Sequence, residues 1–140
     1  MRLKYVLTAF VLGAAMLPAA AHARIEGVWA TGNNDGRVQI YKCGANMCGK
    51  VIDGAPIRAN PDLRDRKNSD PALRNRKVKG LVVLQSFSGG PGEWRGGPVY
   101  DPESGDGARS GILKLRADGK LEVKGCVAFI CRTKVWSRVR

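Results

Sequence analysis

Four residues of this 140-residue chain carry chemistry by type and spacing: Cys43, Cys48, Cys126 and Cys131. Both pairs are C-x4-C. The first encloses Gly44-Ala45-Asn46-Met47 and the second Val127-Ala128-Phe129-Ile130. If each enclosed segment is a four-residue hairpin loop, its flanking residues face each other with their Cβ atoms within disulfide reach. That favours Cys43–Cys48 and Cys126–Cys131 over the other two connectivities that four cysteines allow. The rival is a four-cysteine zinc site, since x4 falls within zinc-ligand spacing. A redox-active pair has less support, because the motif is not C-x-x-C at a helix start. The redox compartment decides between them.

Residues 1–23 supply the compartment, because they have the layout of a secretory signal peptide. Arg2 and Lys4 form a charged start, residues 6–17 an apolar run too short to span a bilayer, and Pro18 breaks it. Ala21-His22-Ala23 is an A-x-A cleavage site, with an uncleaved anchor as the rival. No cysteine follows the apolar run, so a lipoprotein anchor has no support. The expectation is therefore a single domain over 24–140, periplasmic or secreted, with no transmembrane segment in the mature chain. Disulfides are then preferred to zinc. The only histidine, His22, leaves with the signal. Without imidazole, Ser-His-Asp and Cys-His catalysis and histidine-ligated metals drop out.

Other candidate chemistries are weak. Asp101, Glu103 and Asp106 cluster in one stretch, but their spacing fails a calcium loop and nothing marks them as an acid–base pair. The glycines of Gly105-Asp106-Gly107-Ala108-Arg109-Ser110-Gly111 are wrongly spaced for a phosphate loop. No G-x-S-x-G occurs. The reading is of no catalytic residue, no cofactor and no metal, hence not an enzyme. Loss of Arg2 and Lys4 lowers the net charge from +12 to +10, which favours anionic surfaces. The densest cationic stretch is Arg58, Arg64, Arg66, Lys67, Arg74, Arg76, Lys77 and Lys79. It contains no aromatics, and export also argues against a nucleic-acid partner. An anionic envelope surface is the partner it would fit, and a solvated loop is the plainer reading.

The elements that would position these residues are short strands. Candidates are 25–30, 37–43, 48–53, 80–87, 93–100, 109–116, 121–126 and 132–139, with turn formers between them. Asp118-Gly119 suits a type I′ hairpin turn. Gly96, Gly97 and Pro98 should bend or bulge the fifth strand. The long segment 54–79 is predicted to hold at most one helical turn, with Asp70 as N-cap and Pro71 first. Consecutive strands joined by tight turns predict an all-β, small, closed or nearly closed eight-stranded antiparallel up-and-down barrel. A two-sheet sandwich is the rival. Pairing of Gly27-Val28-Trp29 with the last strand would close it. Alternation points Val38, Ile40, Val82, Leu84, Leu113, Leu115, Leu121 and Val123 inward, as pocket or simply core.

Across nearly all of 24–140 the chain resembles a bacterial exported family known as domain of unknown function 2147. The matching residues include Gly27-Val28-Trp29, Cys48-Gly49, Asp70-Pro71-Ala72-Leu73-Arg74, Trp94-Arg95-Gly96-Gly97, Val99-Tyr100-Asp101-Pro102 and Val135-Trp136-Ser137-Arg138. The resemblance implies a lipocalin-like barrel and no established reaction. It also implies that Arg138, with Arg140 as the alternative, lies over Trp29 beside Gly27, as a structural closure. The expected function is non-catalytic binding of an unidentified small apolar or amphipathic ligand, with envelope-surface interaction through 58–79 as the alternative.

Overall fold

The computed structural model describes residues 13–15 and 24–139. Apart from 13–15, the signal-peptide reading falls outside the described residues. The elements are β1 (Gly27–Ala30), β2 (Arg37–Cys43), β3 (Asn46–Asp53), a five-residue helix α1 (Ala55–Ala59) and a 3-10 turn (Pro71–Leu73). There follow β4 (Val82–Gly89), β5 (Glu93–Gly96), β6 (Val99–Asp101), β7 (Asp106–Ala108), β8 (Ser110–Leu115), β9 (Leu121–Val127) and β10 (Ile130–Arg138).

Eight strands close a ring in the order β3-β2-β1-β10-β9-β8-β5-β4, and β4 pairs back onto β3. Every pairing is antiparallel. Closure leaves the ring with no free edge. β6 and β7 form a side hairpin attached to β4 through Leu84 and Val99. Because the ring is an up-and-down meander, its connections fall at two ends. The β2–β3, β4–β5 and β8–β9 turns lie at the base. The β1–β2 loop, the 54–81 segment (the cap), the β6–β7 hairpin and the β9–β10 turn lie at the mouth.

The first and last strands meet at the base, with Trp29 opposite Arg138 and Ala30 opposite Ser137. The Arg138 guanidinium carbon lies 4.3 Å from the centroid of the Trp29 ring, a cation–π contact. Arg138 also donates to the Glu26 carbonyl at 3.1 Å and to the Arg24 carbonyl. Trp29 is fully buried, and its Nε1 donates to the Ile25 carbonyl at 2.9 Å. Gly27 has φ +131, and a Cβ there would sit 3.0 Å from Arg138 Nη1. Glycine is needed for both reasons.

The base half of the barrel is filled. Ile25, Trp29, Ile40, Leu84, Phe87, Leu113 and Leu121 are each at most 2% exposed, and Trp94 on β5 is buried with them. Burying each Leu or Phe contributes about 1.5–3 kcal/mol before chain entropy is counted.

Several local expectations are corrected. Both cysteine loops are two-residue turns, because Asn46 pairs with Cys43 and Ile130 with Val127. Gly44 and Ala128 open these turns with φ 66 and 52. Cys126 and Cys131 are therefore directly opposed, with Cα atoms 4.1 Å apart and an S–S bond of 2.05 Å. Cys43 and Cys48 are bonded diagonally across the ladder, at 5.7 Å and 2.04 Å. Asp118 does not have positive φ, so the Asp118-Gly119 turn is not type I′. Gly119 (φ 81) donates to the Arg116 carbonyl at 3.0 Å, the pattern of a type I turn with a glycine bulge. The expected fifth strand splits into β5 and β6 at Gly97-Pro98, where proline has no N–H for the ladder. In the cap, Asp70 Oδ1 accepts from Ala72 N at 2.9 Å and starts the 3-10 turn. The helix α1 was not expected, since its N-cap is Gly54 and no side chain caps it.

The β6–β7 hairpin folds against β8 and β9 because two glycines make room. Gly111 and Gly125 face each other across the β8–β9 ladder. A Cβ on Gly111 would meet Val99 Cγ2 at 2.5 Å, and one on Gly125 would meet Ala108 Cβ at 3.1 Å.

Candidate functional site

Above the packed base, the mouth half of the barrel encloses a cavity of about 370 Å³. Its walls are Val38 on β2, Val51 on β3, Val83 on β4, Val99 and Tyr100 on β6, and Trp136 on β10. Ile57 on α1 with Leu63 and Val78 of the cap add apolar surface. The polar lining carries Arg37, Arg64, Arg66, Lys67 and Lys134, with Asp53, Asp101 and Glu103 among them. Trp136 is 6% exposed, and its indole Nε1 has no hydrogen-bond partner among the described residues. A buried donor without a partner is costly, so an acceptor reaching it would be favoured.

The cap is held down by a buried carboxylate. Asp65 is 0% exposed. It accepts from Tyr100 Oη at 2.5 Å, Arg76 Nη2 at 2.8 Å and Asn68 Nδ2 at 3.0 Å. The Arg76 guanidinium carbon also sits 5.8 Å from the Tyr100 ring centroid. Burial, then the hydrogen bond and charge of Asp65, push the Tyr100 hydroxyl up to about 12. At neutral pH the phenol is therefore protonated and donating. A buried Asp–Tyr pair could be read as acid–base machinery, but three donors already occupy this carboxylate. Its chemistry here is that of a clamp joining the cap to β6.

Further ties surround the mouth. Arg58 bridges Asp53 at 2.8 Å and Asp35 at 3.0 Å. Lys67 Nζ donates to the Glu103 carbonyl at 2.6 Å. Lys134 Nζ reaches Asp101 Oδ2 at 2.7 Å. Partial burial pushes the Asp101 carboxyl up. Its hydrogen bonds from Lys134 and the Glu103 backbone N–H outweigh this and hold it below the ordinary carboxylate value. The Gly54 backbone N–H and the Arg58 guanidinium likewise lower the Asp53 carboxyl, against a smaller opposing effect of burial.

The inward residues expected from alternation divide by depth. Val38 lines the cavity. Ile40, Leu84, Leu113, Leu121 and Val123 are buried in the core and outside the lining. Leu115 is half-buried against that core, and Val82 is half-buried beside Val83, which takes the cavity-facing place. Alternation gives the face of a strand but not its depth along the barrel. The β3–β4 pairing also shifts register around Gly49, and successive residues Val83 and Leu84 are both buried.

The basic segment is partly drawn into the site. Arg64, Arg66 and Lys67 line the cavity, with Arg64 also paired to Asp62 at 2.7 Å and donating to the Asn75 carbonyl at 2.8 Å. Arg58 and Arg76 are spent on carboxylates, Lys77 lies 3.6 Å from Asp62, and Arg74 Nε donates to the Asn68 carbonyl at 2.8 Å. Lys79 is exposed.

Sequence reading missed Asp65, Tyr100, Val51, Ile57, Leu63, Val78, Val83, Val99 and Trp136 as site residues. Asp65 and Tyr100 lie 35 residues apart and meet only through the fold. Ile57, Leu63 and Val78 are, with Leu73, the large apolar residues of the otherwise polar stretch 54–79, and that was the available signal.

Among the described residues, no cluster of three or more His, Cys, Asp or Glu is placed to hold a metal, and no helix is long and apolar enough to cross a membrane.

A closed eight-stranded up-and-down ring, filled below and hollow at the mouth, with arginine over a first-strand tryptophan, defines a lipocalin-like β-barrel. A solved structure agrees. It is described as "Protein HP1028 from the human pathogen Helicobacter pylori belongs to the lipocalin family", and this chain is similar to it at TM-score 0.69 and 21% identity, over 84% of each chain. That likeness shows the fold. The chain belongs to the family described as "Uncharacterized protein conserved in bacteria (DUF2147)", whose profile matches residues 27–138. No curated protein matches it significantly. Two disulfides and a bacterial family fit an exported protein.

Proposed function

We propose that this protein is a non-catalytic barrel that binds a small amphipathic ligand in the mouth-end cavity. In this reading residues 1–23 are a signal peptide, and the domain over 24–140 works in the periplasm or outside the cell. The observation that carries it is the cavity itself: about 370 Å³, apolar in its walls, cationic in much of its polar lining, with the unpartnered Trp136 indole beside it. Ligand pockets combine such apolar walls with a few convergent polar groups. An apolar tail would lie against Val38, Val51 and Val83. An anionic or acceptor-bearing head would meet Arg64, Arg66 and Lys67.

The test is uptake of an environment-sensitive anionic naphthalene dye, followed by displacement with amphiphiles of graded chain length. Saturable uptake is expected, with loss of uptake in Val83→Trp, which fills the cavity. Native mass spectrometry of freshly purified protein should show a co-purifying small molecule. Wild-type protein that takes up no dye and carries nothing would sink the proposal.

A further inference from the structure

The exposed large apolar side chains among the described residues are Val127, Phe129, Ile130 and Val135, and all four belong to the β9–β10 hairpin. Phe129 is fully exposed, Ile130 is 73% exposed and Val127 60%. Val127 and Ile130 flank a two-residue turn, Ala128-Phe129, directly above the Cys126–Cys131 bond, whereas Val135 lies lower on β10, opposite Glu122. Turns of this length normally take Asn, Gly or Asp, and Ala128 holds φ 52 without being glycine. Local folding therefore gives no reason for an apolar tip. The disulfide keeps the tip's shape without any packing of these side chains against the barrel.

The meander places this tip at the mouth, on the same end as the cap and the cavity. Below it the hairpin carries Lys124, Arg132 and Lys134, and its one acid, Glu122, lies toward the base. Lys134 is paired with Asp101, and Arg132 is 3.8 Å from Asp106, with both of the latter side chains well exposed.

We propose that the β9–β10 tip inserts into an anionic phospholipid surface and docks the barrel mouth-first on it. The size of the patch argues for lipid over a protein. A stable protein interface needs about 800 Å² from each partner. Three apolar side chains around a two-residue turn, the largest an aromatic of about 150–250 Å², fall well short. A convex apolar point above cationic residues instead matches an interfacial lipid anchor. Its apolar groups enter the acyl boundary while the basic residues meet the headgroups. The proposal is independent of the cavity reading, because docking requires only the hairpin.

The experiment is vesicle co-sedimentation of the chain from residue 24 onward, which contains every strand of the closed ring. Vesicles of phosphatidylcholine alone are compared with vesicles containing phosphatidylglycerol, at low and high salt. Binding is expected on phosphatidylglycerol, with at least about tenfold weaker binding at high salt and in the double variant Phe129→Ser/Ile130→Ser. The variant should keep the wild-type thermal midpoint, because both side chains are exposed. Phe129→Trp should show a blue-shifted emission that brominated lipid quenches. Absence of binding, equal binding to both vesicle types, or binding unchanged in the double variant would overturn the proposal. So would a wild-type dimer in sedimentation equilibrium that the same double variant dissociates, since the tip would then serve a second copy of the chain.

Discussion

Tyr100 on β6 donates its hydroxyl to Asp65 in the cap at 2.5 Å. This bond joins two segments outside the barrel ring, and both line the cavity. The cap and the β6–β7 hairpin are thus fastened to each other as well as to the strands beneath.

Tyr100→Phe should lower stability by about 1–3 kcal/mol, because it removes a donor from a buried carboxylate. The pH dependence has a definite sign. The folded hydroxyl titrates at about 12, above its ordinary value of 10, so the protonated form is the stabilising one. Its contribution is complete below pH 10 and is lost as pH rises through 12. Denaturant melts of wild type and Tyr100→Phe should therefore converge across that window. Curves that stay parallel up to pH 12 would contradict the assignment.

Asp65→Ala should cost more, about 3–5 kcal/mol, since it leaves the Arg76 charge and the Tyr100 hydroxyl without their buried partner. Loss should begin in the cap. Hydrogen exchange should rise at the amides of position 65 and of Val78, which in the wild type donate to the Arg76 and Leu63 carbonyls, before the ring amides respond.

Arg138→Leu removes the contact over Trp29 and two hydrogen bonds to the N-terminal segment. A loss of about 1–3 kcal/mol is expected from these together. Because the seam is at the base, dye uptake at the mouth should not change once the variant is folded. A variant of normal stability, or one with impaired uptake, would argue against this division of the barrel.

Gly111→Val drives a side chain into Val99, the Lys124 carbonyl of β9 and Phe87. The expected result is a folded barrel with its β6–β7 hairpin displaced, weaker dye uptake and a stability loss of about 1–3 kcal/mol from overpacking. Unchanged uptake and melting would show that the hairpin tolerates the extra volume.

The sequence revealed the parts of this fold that repeat locally. β2 (Arg37–Cys43) stands where alternation of Val38 and Ile40 put it, and Leu121 starts β9 as expected. Closure between Trp29 and Arg138 was legible through family resemblance, since the two residues lie at opposite ends of the chain. The cavity was harder to see. Period-two alternation cannot distinguish Val38, at the hollow end of β2, from Ile40 two residues nearer the base. Nor can it register the shift on β4 that buries both Val83 and Leu84. The Asp65 clamp was hidden for another reason: one aspartate among several in a charged loop acquires its role only when Tyr100 and Arg76 converge on it. The exposed tip was visible as Val127-Ala128-Phe129-Ile130, but a four-residue loop and a two-residue turn project those side chains differently.

The seam between β1 and β10 has a consequence for handling the molecule. The start of β1 at Gly27 and the end of β10 at Arg138 both lie at the filled base of the barrel, where Val139 N bonds the Val28 carbonyl at 2.9 Å. A short linker could join them into a circular backbone, and new ends could then be cut at the Asp118-Gly119 turn without touching the cavity. Immobilised at this seam, the barrel would stand on its base, leaving the cavity, the cap and the apolar tip presented together to whatever is passed over them.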